Sequence, residues 1–389
     1  MKRSPLTLLA AASLLVGSAV ASSPATAGGR GHSNQTPSVD SARTIADGLF
    51  TPLSLAIDSR GRALVPQNFL GELLRITRDG TKSTIATAPG DELGAVSTRG
   101  SKIFYATTGQ DPAAPSAKLF ALRKGGEPRQ IADLLAYETA NNPDAATSYG
   151  FRDLPQECLA KLPAEFPASY TGIVESHPYA TYAAKNKVYV ADAAANAILS
   201  VRTTQRNATP RTVATLPPLG TTITADAAAS QGLDPCVVGH TYYFEFVPTD
   251  VEKGPNGSLY VTALPGGPED ASLGARGAVF KVNLRSGKVR RVAGGFVGAV
   301  NLAVGRDGRI AVAELFGGEQ GAGQVTIIRP GSSRRTSLPL TAPGAVEWVG
   351  SKLYVTTDAF VPGPEGPSAT GKLQVLKVGS KDRHRSHRH

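Results

Sequence analysis

The sequence predicts an all-β fold, a six-bladed β-propeller whose last sheet is completed by a strand from near the N-terminus. Three observations carry this. A unit of short apolar strands and tight turns recurs six times. A signature, Arg-x-Ile/Val-Ala, marks the fourth strand of several units. That signature is missing after the sixth unit, yet one copy stands to spare before the first.

Taken in order, the second strands are Ala63-Leu64-Val65, Ile103-Phe104-Tyr105, Val188-Tyr189-Val190, Leu259-Tyr260-Val261, Ile310-Ala311-Val312 and Leu353-Tyr354-Val355. The third strands follow at 73–76, 119–122, 198–201, 279–282, 325–328 and 373–376. All are β-branched or aromatic-rich and bounded by turn residues, the pattern of short strands in repeated sheets. The signature reads Arg129-Gln-Ile-Ala132, Arg211-Thr-Val-Ala214 and Arg290-Arg-Val-Ala293, with Ser83-Thr-Ile-Ala86 close to it. The surplus copy is Arg43-Thr44-Ile45-Ala46. Supplying the last sheet's outer strand from this segment closes a ring and leaves only short, protected edges. Residues 134–172 hold an alternative, a seventh blade, although 154–162 reads as a short helix.

The loops divide by length. Turns between first and second strands are short, as at Asp58–Gly61 and Lys185-Asn-Lys187. Every long excursion (108–117, 136–173, 217–244, 263–277, 315–323, 357–371) falls on the opposite face. The short-turn face collects Arg60, Arg62, Arg78, Lys82, Arg99, Lys102, Lys185, Lys187, Arg306 and Arg309. The long-loop face collects Asp144, Asp153, Glu157, Glu175, Asp192, Asp234, Glu269, Asp270, Glu314, Glu319, Asp358 and Glu365. Loops on a rigid scaffold are where binding usually resides.

The 389 residues carry 41 Lys/Arg against 31 Asp/Glu, a net charge of +10. The two ends supply part of that, leaving about +5 for the middle, too mild to argue for nucleic acid. Lys2-Arg3, the apolar run Leu6–Val20 and the small-x-small sites Ala19-Val20-Ala21 and Ala25-Thr26-Ala27 form a signal-peptide pattern over 1–27. The run is short for a spanning helix. A flexible leader (28–42), the propeller (43–380) and a basic, His-rich tail (381–389) are expected to follow, with no transmembrane segment after signal removal and a monomeric state. In an exported chain the two cysteines, Cys158 and Cys236, are expected to form one disulfide.

Recognised catalytic motifs are lacking: no G-x-S-x-G, H-E-x-x-H, EF-hand loop or P-loop occurs. Aligning units on Pro178 and Pro248 puts Glu175 and Glu245 at one position before the first strand, and Asp250 at the position that Asn301 fills in the fifth unit. His177 adjoins Pro178. Gln67, Asp192 and Glu314 share the end of the second strand. These oxygen-rich positions are candidates for ligand contact near the mouth of a central channel. Such a set suits a hard cation such as Ca²⁺, and paired carboxylates with a histidine suit acid–base work.

The stretches from His177 through Asp192 to Val201, Pro248–Thr262 and Val300–Glu314 resemble the repeats of the ScyD/ScyE family of exported propeller proteins. The likeness covers most of 43–377. It implies a six-bladed propeller related to NHL-type propellers. The second unit, with no proline before its first strand, and Ala311, where tyrosine is usual, depart from the pattern. The expectation is an exported, non-enzymatic scaffold that binds an extracellular ligand or protein through its acidic long-loop face. The alternative is a metal-assisted lyase or hydrolase at the channel mouth, using Glu175, His177, Glu245 and Asp250.

Overall fold

A computed structural model describes residues 42–164, 166–268, 271–363 and 366–378. The expected signal peptide, nearly all of the leader, the basic tail, Glu269, Asp270 and Glu365 lie outside the described residues.

Six four-stranded antiparallel sheets follow one another along the chain as blades 1 to 6. Blade 1 comprises Ala56–Ile57, Ala63–Gln67, Glu72–Ile76 and Lys82–Thr87; blade 2, Asp91–Arg99, Lys102–Gly109, Ala117–Arg123 and Arg129–Asp133. Blade 3 comprises Pro178–Ala183, Lys187–Asp192, Ala197–Arg202 and Arg211–Thr215; blade 4, Phe246–Lys253, Leu259–Pro265, Gly277–Val282 and Val289–Phe296. Blade 5 comprises Ala299–Val304, Ile310–Glu314, Gln324–Ile328 and Arg335–Pro339. Blade 6 comprises Ala345–Val349, Lys352–Thr357 and Gly371–Lys377, and its outer strand is Arg43–Leu49, as the surplus signature predicts. The first strands of consecutive blades are neighbours, and those of blades 6 and 1 complete the cycle.

Apolar clusters fill the spaces between blades. Phe104 and Leu119 of blade 2 pack with Val188 and Val190 of blade 3. Leu49 and Leu373 of blade 6 pack with Val65 and Ile76 of blade 1. The hydrophobic effect thus acts around the ring, and each sheet buries both faces against its neighbours.

The signature has a structural cause. In each copy the Ile or Val is skipped by the pairing register, and the following Ala faces the third strand. Ala46 pairs with Leu373, Ala86 with Leu73, Ala132 with Leu119, Ala214 with Ile198 and Ala293 with Val279. Such β-bulges sharpen the twist of an outer strand. The fourth strand of blade 5, Arg335–Pro339, pairs without a shift and lacks the signature.

The insertions 134–172 and 217–244 do not form a seventh blade. They combine into one separate sheet in the order Ser169–Thr171, Ser148–Phe151, Thr241–Phe244, Leu219–Thr222. Its own core contains Phe151, Leu154, Val237, Tyr242 and Phe244. The Cys158–Cys236 disulfide joins the two insertions across 78 residues of sequence. Cys158 lies on a short helix, Gln156–Leu159, within the expected helical stretch.

Candidate functional site

The repeated polar positions are mostly latches. Asp192 is fully buried, and its Oδ1 accepts the backbone N–H of His177 at 2.7 Å. Its equivalents do the same: Gln67 Oε1 accepts from Phe50 N at 2.8 Å, and Glu314 Oε2 from Val297 N at 2.9 Å. Each fastens the segment leading into its own blade. Glu314 also accepts from Gln324 Nε2 at 2.9 Å. Asp250 and Asn301 fasten the next blade instead. Asp250 Oδ2 accepts from Leu302 N at 2.9 Å, and Asn301 Oδ1 from Val346 N at 2.8 Å. Both residues are buried. Equivalent positions therefore satisfy equivalent backbone groups, which a closed ring of sheets requires.

His177 is spoken for as well. Its Nε2 lies 2.8 Å from Glu92 Oε2, and Asn68 Nδ2 donates to Glu92 Oε1 at 2.9 Å. Glu92 and His177 each stand one residue before the equivalent bulge position, Leu93 or Pro178, of neighbouring first strands. Burial works to raise the Glu92 carboxyl, but attraction to His177 and hydrogen bonds from His177 and Asn68 outweigh it and hold it low. Burial likewise opposes charge on His177, and Glu92 overrides it and raises the imidazole. The pair is a buried ion pair between blades 2 and 3. Glu92 was not among the sequence candidates. Its signal was the alignment with His177, hidden because blade 2 has Leu93 where blades 3 and 4 have proline.

A second polar group lies between blade 3 and the insertions. The helix Leu134–Asn141 starts at Asp133, whose side chain accepts from Ala136 N at 2.9 Å. Leu134 and Glu138, one turn apart, both face inward and are fully buried. Glu138 is pushed up to about 8, first by burial and then by Asp192 and Asp144. Asp144 Oδ2 accepts from Tyr149 Oη and Asn196 Nδ2, each at 2.8 Å. Burial raises its carboxyl above the ordinary value. Glu245, half-buried, is pushed up to about 7 by burial, partly offset by hydrogen-bonding groups of Tyr170 and Asn196, with Asp144 and Glu175 raising it further. Glu175, at the equivalent position, is thus near enough to be felt electrostatically, as the weakest of these influences. Asp144 is among the acidic long-loop residues named from sequence, but Glu138 and Asn196 escaped, because nothing local signals that a helix, a loop and a blade turn converge.

A third acidic group lies on the first strands of blades 4 and 6. Glu347 is pushed up to about 8 by burial and then by Asp250, and Glu252 rises well above its ordinary value through burial, Glu347 and Asp250. Among the described residues, no three His, Cys, Asp or Glu side chains form a metal-holding group. On the long-loop face, Asp153, Glu157 and Glu319 are exposed, whereas Asp144, Asp192 and Glu314 are buried. Among the described residues no helix is long and apolar enough to cross a membrane.

No protein-family model matches the chain, and no curated protein matches it. Solved structures do. The PQQ-bound aldose sugar dehydrogenase of Streptomyces coelicolor is similar at a TM-score of 0.53 and 13% identity, over 88% of this chain and 100% of that one. A gluconolactonase of Xanthomonas campestris gives 0.51 and 11%, over 87% and 89%. A nidogen/laminin complex gives 0.46 and 14%, over 76% and 85%. At these identities the first two likenesses establish the propeller fold alone. One fold hosts many unrelated functions, so the fold selects none of them.

Proposed function

We propose that the chain is an exported propeller of the ScyD/ScyE type that binds an extracellular ligand or protein through its long-loop face. The observation that carries this reading is the insertion sheet. It has its own core and a disulfide, and it adds nothing to the ring of blades. It and its flanks present exposed Asp153, Glu157 and Asp226. A rigid, cross-linked platform lowers the ordering cost of binding. The disulfide fits an oxidising compartment.

The test is charge reversal on each face. A variant with Asp153→Lys, Glu157→Lys and Asp226→Lys is compared with one carrying Arg60→Glu and Lys102→Glu. Both are checked for an unchanged melting temperature, then cross-linked in the protein's native extracellular medium. Loss of wild-type cross-linked species in the first variant alone supports the reading. Equal capture by all three proteins overturns it.

A second reading, a metal-assisted lyase or hydrolase at the channel mouth, draws on a Glu245 carboxyl pushed up to about 7, chiefly by burial, with Glu175 adding to the rise. Against it, His177 is bound to Glu92 and Asp250 to backbone N–H groups. A divalent ion whose binding is lost in Glu175→Gln and His177→Gln would favour it.

A further inference from the structure

We propose that a hard divalent cation of the Ca²⁺ class binds between the helix Leu134–Asn141 and the blade 3 turn at 192–196, held by oxygens of Glu138, Asn142, Asp144 and Asn196. This site borders two of the channel-mouth candidates, Glu245 beside Asp144 and Asn196, and Asp192 beside Glu138, but uses neither as a ligand, and it goes beyond the binding role argued above.

Five buried side-chain oxygens here lack any hydrogen-bond partner: both of Glu138, and one each of Asn142, Asp144 and Asn196. Glu138 is the sharpest case, a fully buried carboxylate with neither oxygen satisfied. An isolated buried carboxylate is costly unless a cation pairs with it. No lysine or arginine forms an ion pair with Glu138, Asp144 or Asp192 among the described residues.

The groups are held together by the chain's other bonds. Asn196 Nδ2 donates to Asp144 Oδ2, which turns the amide so that its Oδ1 stays open. Asn196 takes a left-handed backbone, φ 50°. Asn142, also left-handed at φ 35°, ends the helix, and its N–H donates to the Glu138 carbonyl at 2.7 Å. Its Nδ2 donates to Gly172 O at 2.9 Å, again leaving Oδ1 open. A Cβ on Gly172 would lie 2.0 Å from Asp144 Oδ1, so only glycine leaves that oxygen its place. Both amides therefore spend their N–H groups on protein and keep their oxygens for something else.

The donor chemistry selects the ion. Ca²⁺ takes carboxylate, amide and water oxygens in a flexible shell, whereas Zn²⁺ prefers nitrogen and sulfur. Two carboxylates and two amides, with Asp192 adding negative charge nearby, match the former.

The test uses the full, disulfide-intact chain, stripped with chelator and titrated calorimetrically with CaCl₂ and MgCl₂. The expected result is one Ca²⁺ per chain and a melting temperature raised by several degrees. Glu138→Gln and Asp144→Asn should each weaken binding tenfold or more, and Asn142→Ala serves if Asp144→Asn fails to fold. Glu127→Gln, in the exposed turn before Arg129–Asp133, should bind as wild type does. No heat and no thermal shift up to about 10 mM of either ion would overturn the proposal, since extracellular Ca²⁺ modules saturate below that. Wild-type binding by Glu138→Gln would overturn it too, and loss in Glu175→Gln alone would move the ion to the channel mouth. A melting temperature raised by Glu138→Gln with no ion effect would assign the site to a proton and overturn it as well.

Discussion

Separating Glu92 from His177 tests the reading that a buried ion pair, and not a metal, fixes the junction of blades 2 and 3. The two groups lie 2.8 Å apart at 4% and 7% exposure. At that distance and an effective dielectric of about 20, their attraction is about 6 kcal/mol before desolvation is subtracted. Removing one partner strands the other in a buried site, a loss of about 3–5 kcal/mol. His177→Gln leaves Glu92 with Asn68 as its remaining donor. The Glu92→Gln/His177→Gln double variant strands neither charge, so it should lose less than the two single losses added, by about 2 kcal/mol or more. Urea denaturation of the four proteins gives the cycle. The pH dependence follows from the directions of the shifts. His177 is raised above 6.5, so its contribution is complete below that value and disappears as pH rises through its folded value. Glu92 is held below 4.5, so its contribution is complete above that value and disappears as pH falls through its folded value. The coupling should peak between about pH 4.5 and 6.5. Additive single losses at pH 5.5 would refute the ion-pair assignment.

Three further outcomes are expected. Leu49→Ala, in the strand that closes blade 6, should cost about 2–5 kcal/mol in urea denaturation, since Leu49 is fully buried; a loss below about 1 kcal/mol would deny the closing strand its role. Gly172→Ala should destabilise by about 1–3 kcal/mol through its clash with Asp144, whereas Gly126→Ala, whose Cβ would meet nothing nearer than 3.7 Å, should be neutral, and equal melting temperatures would contradict the packing. Glu347 interacts electrostatically with Asp250 and Glu252, and Glu252, Arg99 and Glu347 act on Tyr182 of the neighbouring first strands. With its folded value raised to about 8, wild-type stability should fall as pH rises from about 4.5 to 8. Glu347→Gln should remove on the order of 1–2 kcal/mol of that fall after solvent screening, and an unchanged slope would count against this acidic group.

The ring was legible because its grammar is local. The bulge at Ile45, Ile131 or Val213 needs a small residue beside it and leaves Ala46, Ala132 or Ala214 in the sequence, so a displaced outer strand could be recognised hundreds of residues from its partner. The fourth strand of blade 5 has no bulge, and correspondingly no signature. The shared position of Gln67, Asp192 and Glu314 was also visible, but its shared duty, accepting a backbone N–H, reads in sequence like a ligand position. The insertion sheet was not visible. Phe151 pairs with Tyr242, and no periodicity connects segments so far apart. Glu138 follows the same rule: its inward direction comes from sharing a helical face with Leu134, whereas its neighbours Asp144 and Asn196 come from a loop and another blade.

The closing strand sets an order of events. Thr44 and Gln374 meet across 330 positions, so the strand Arg43–Leu49 cannot pair until Gly371–Lys377 has been synthesised. Until then two backbone edges, one on each of these strands, remain open to any other strand. Contacts of such separation form slowly. Premature truncation anywhere before 371 would therefore leave the molecule not slightly shortened but unzipped at both ends, with self-association as the natural outcome.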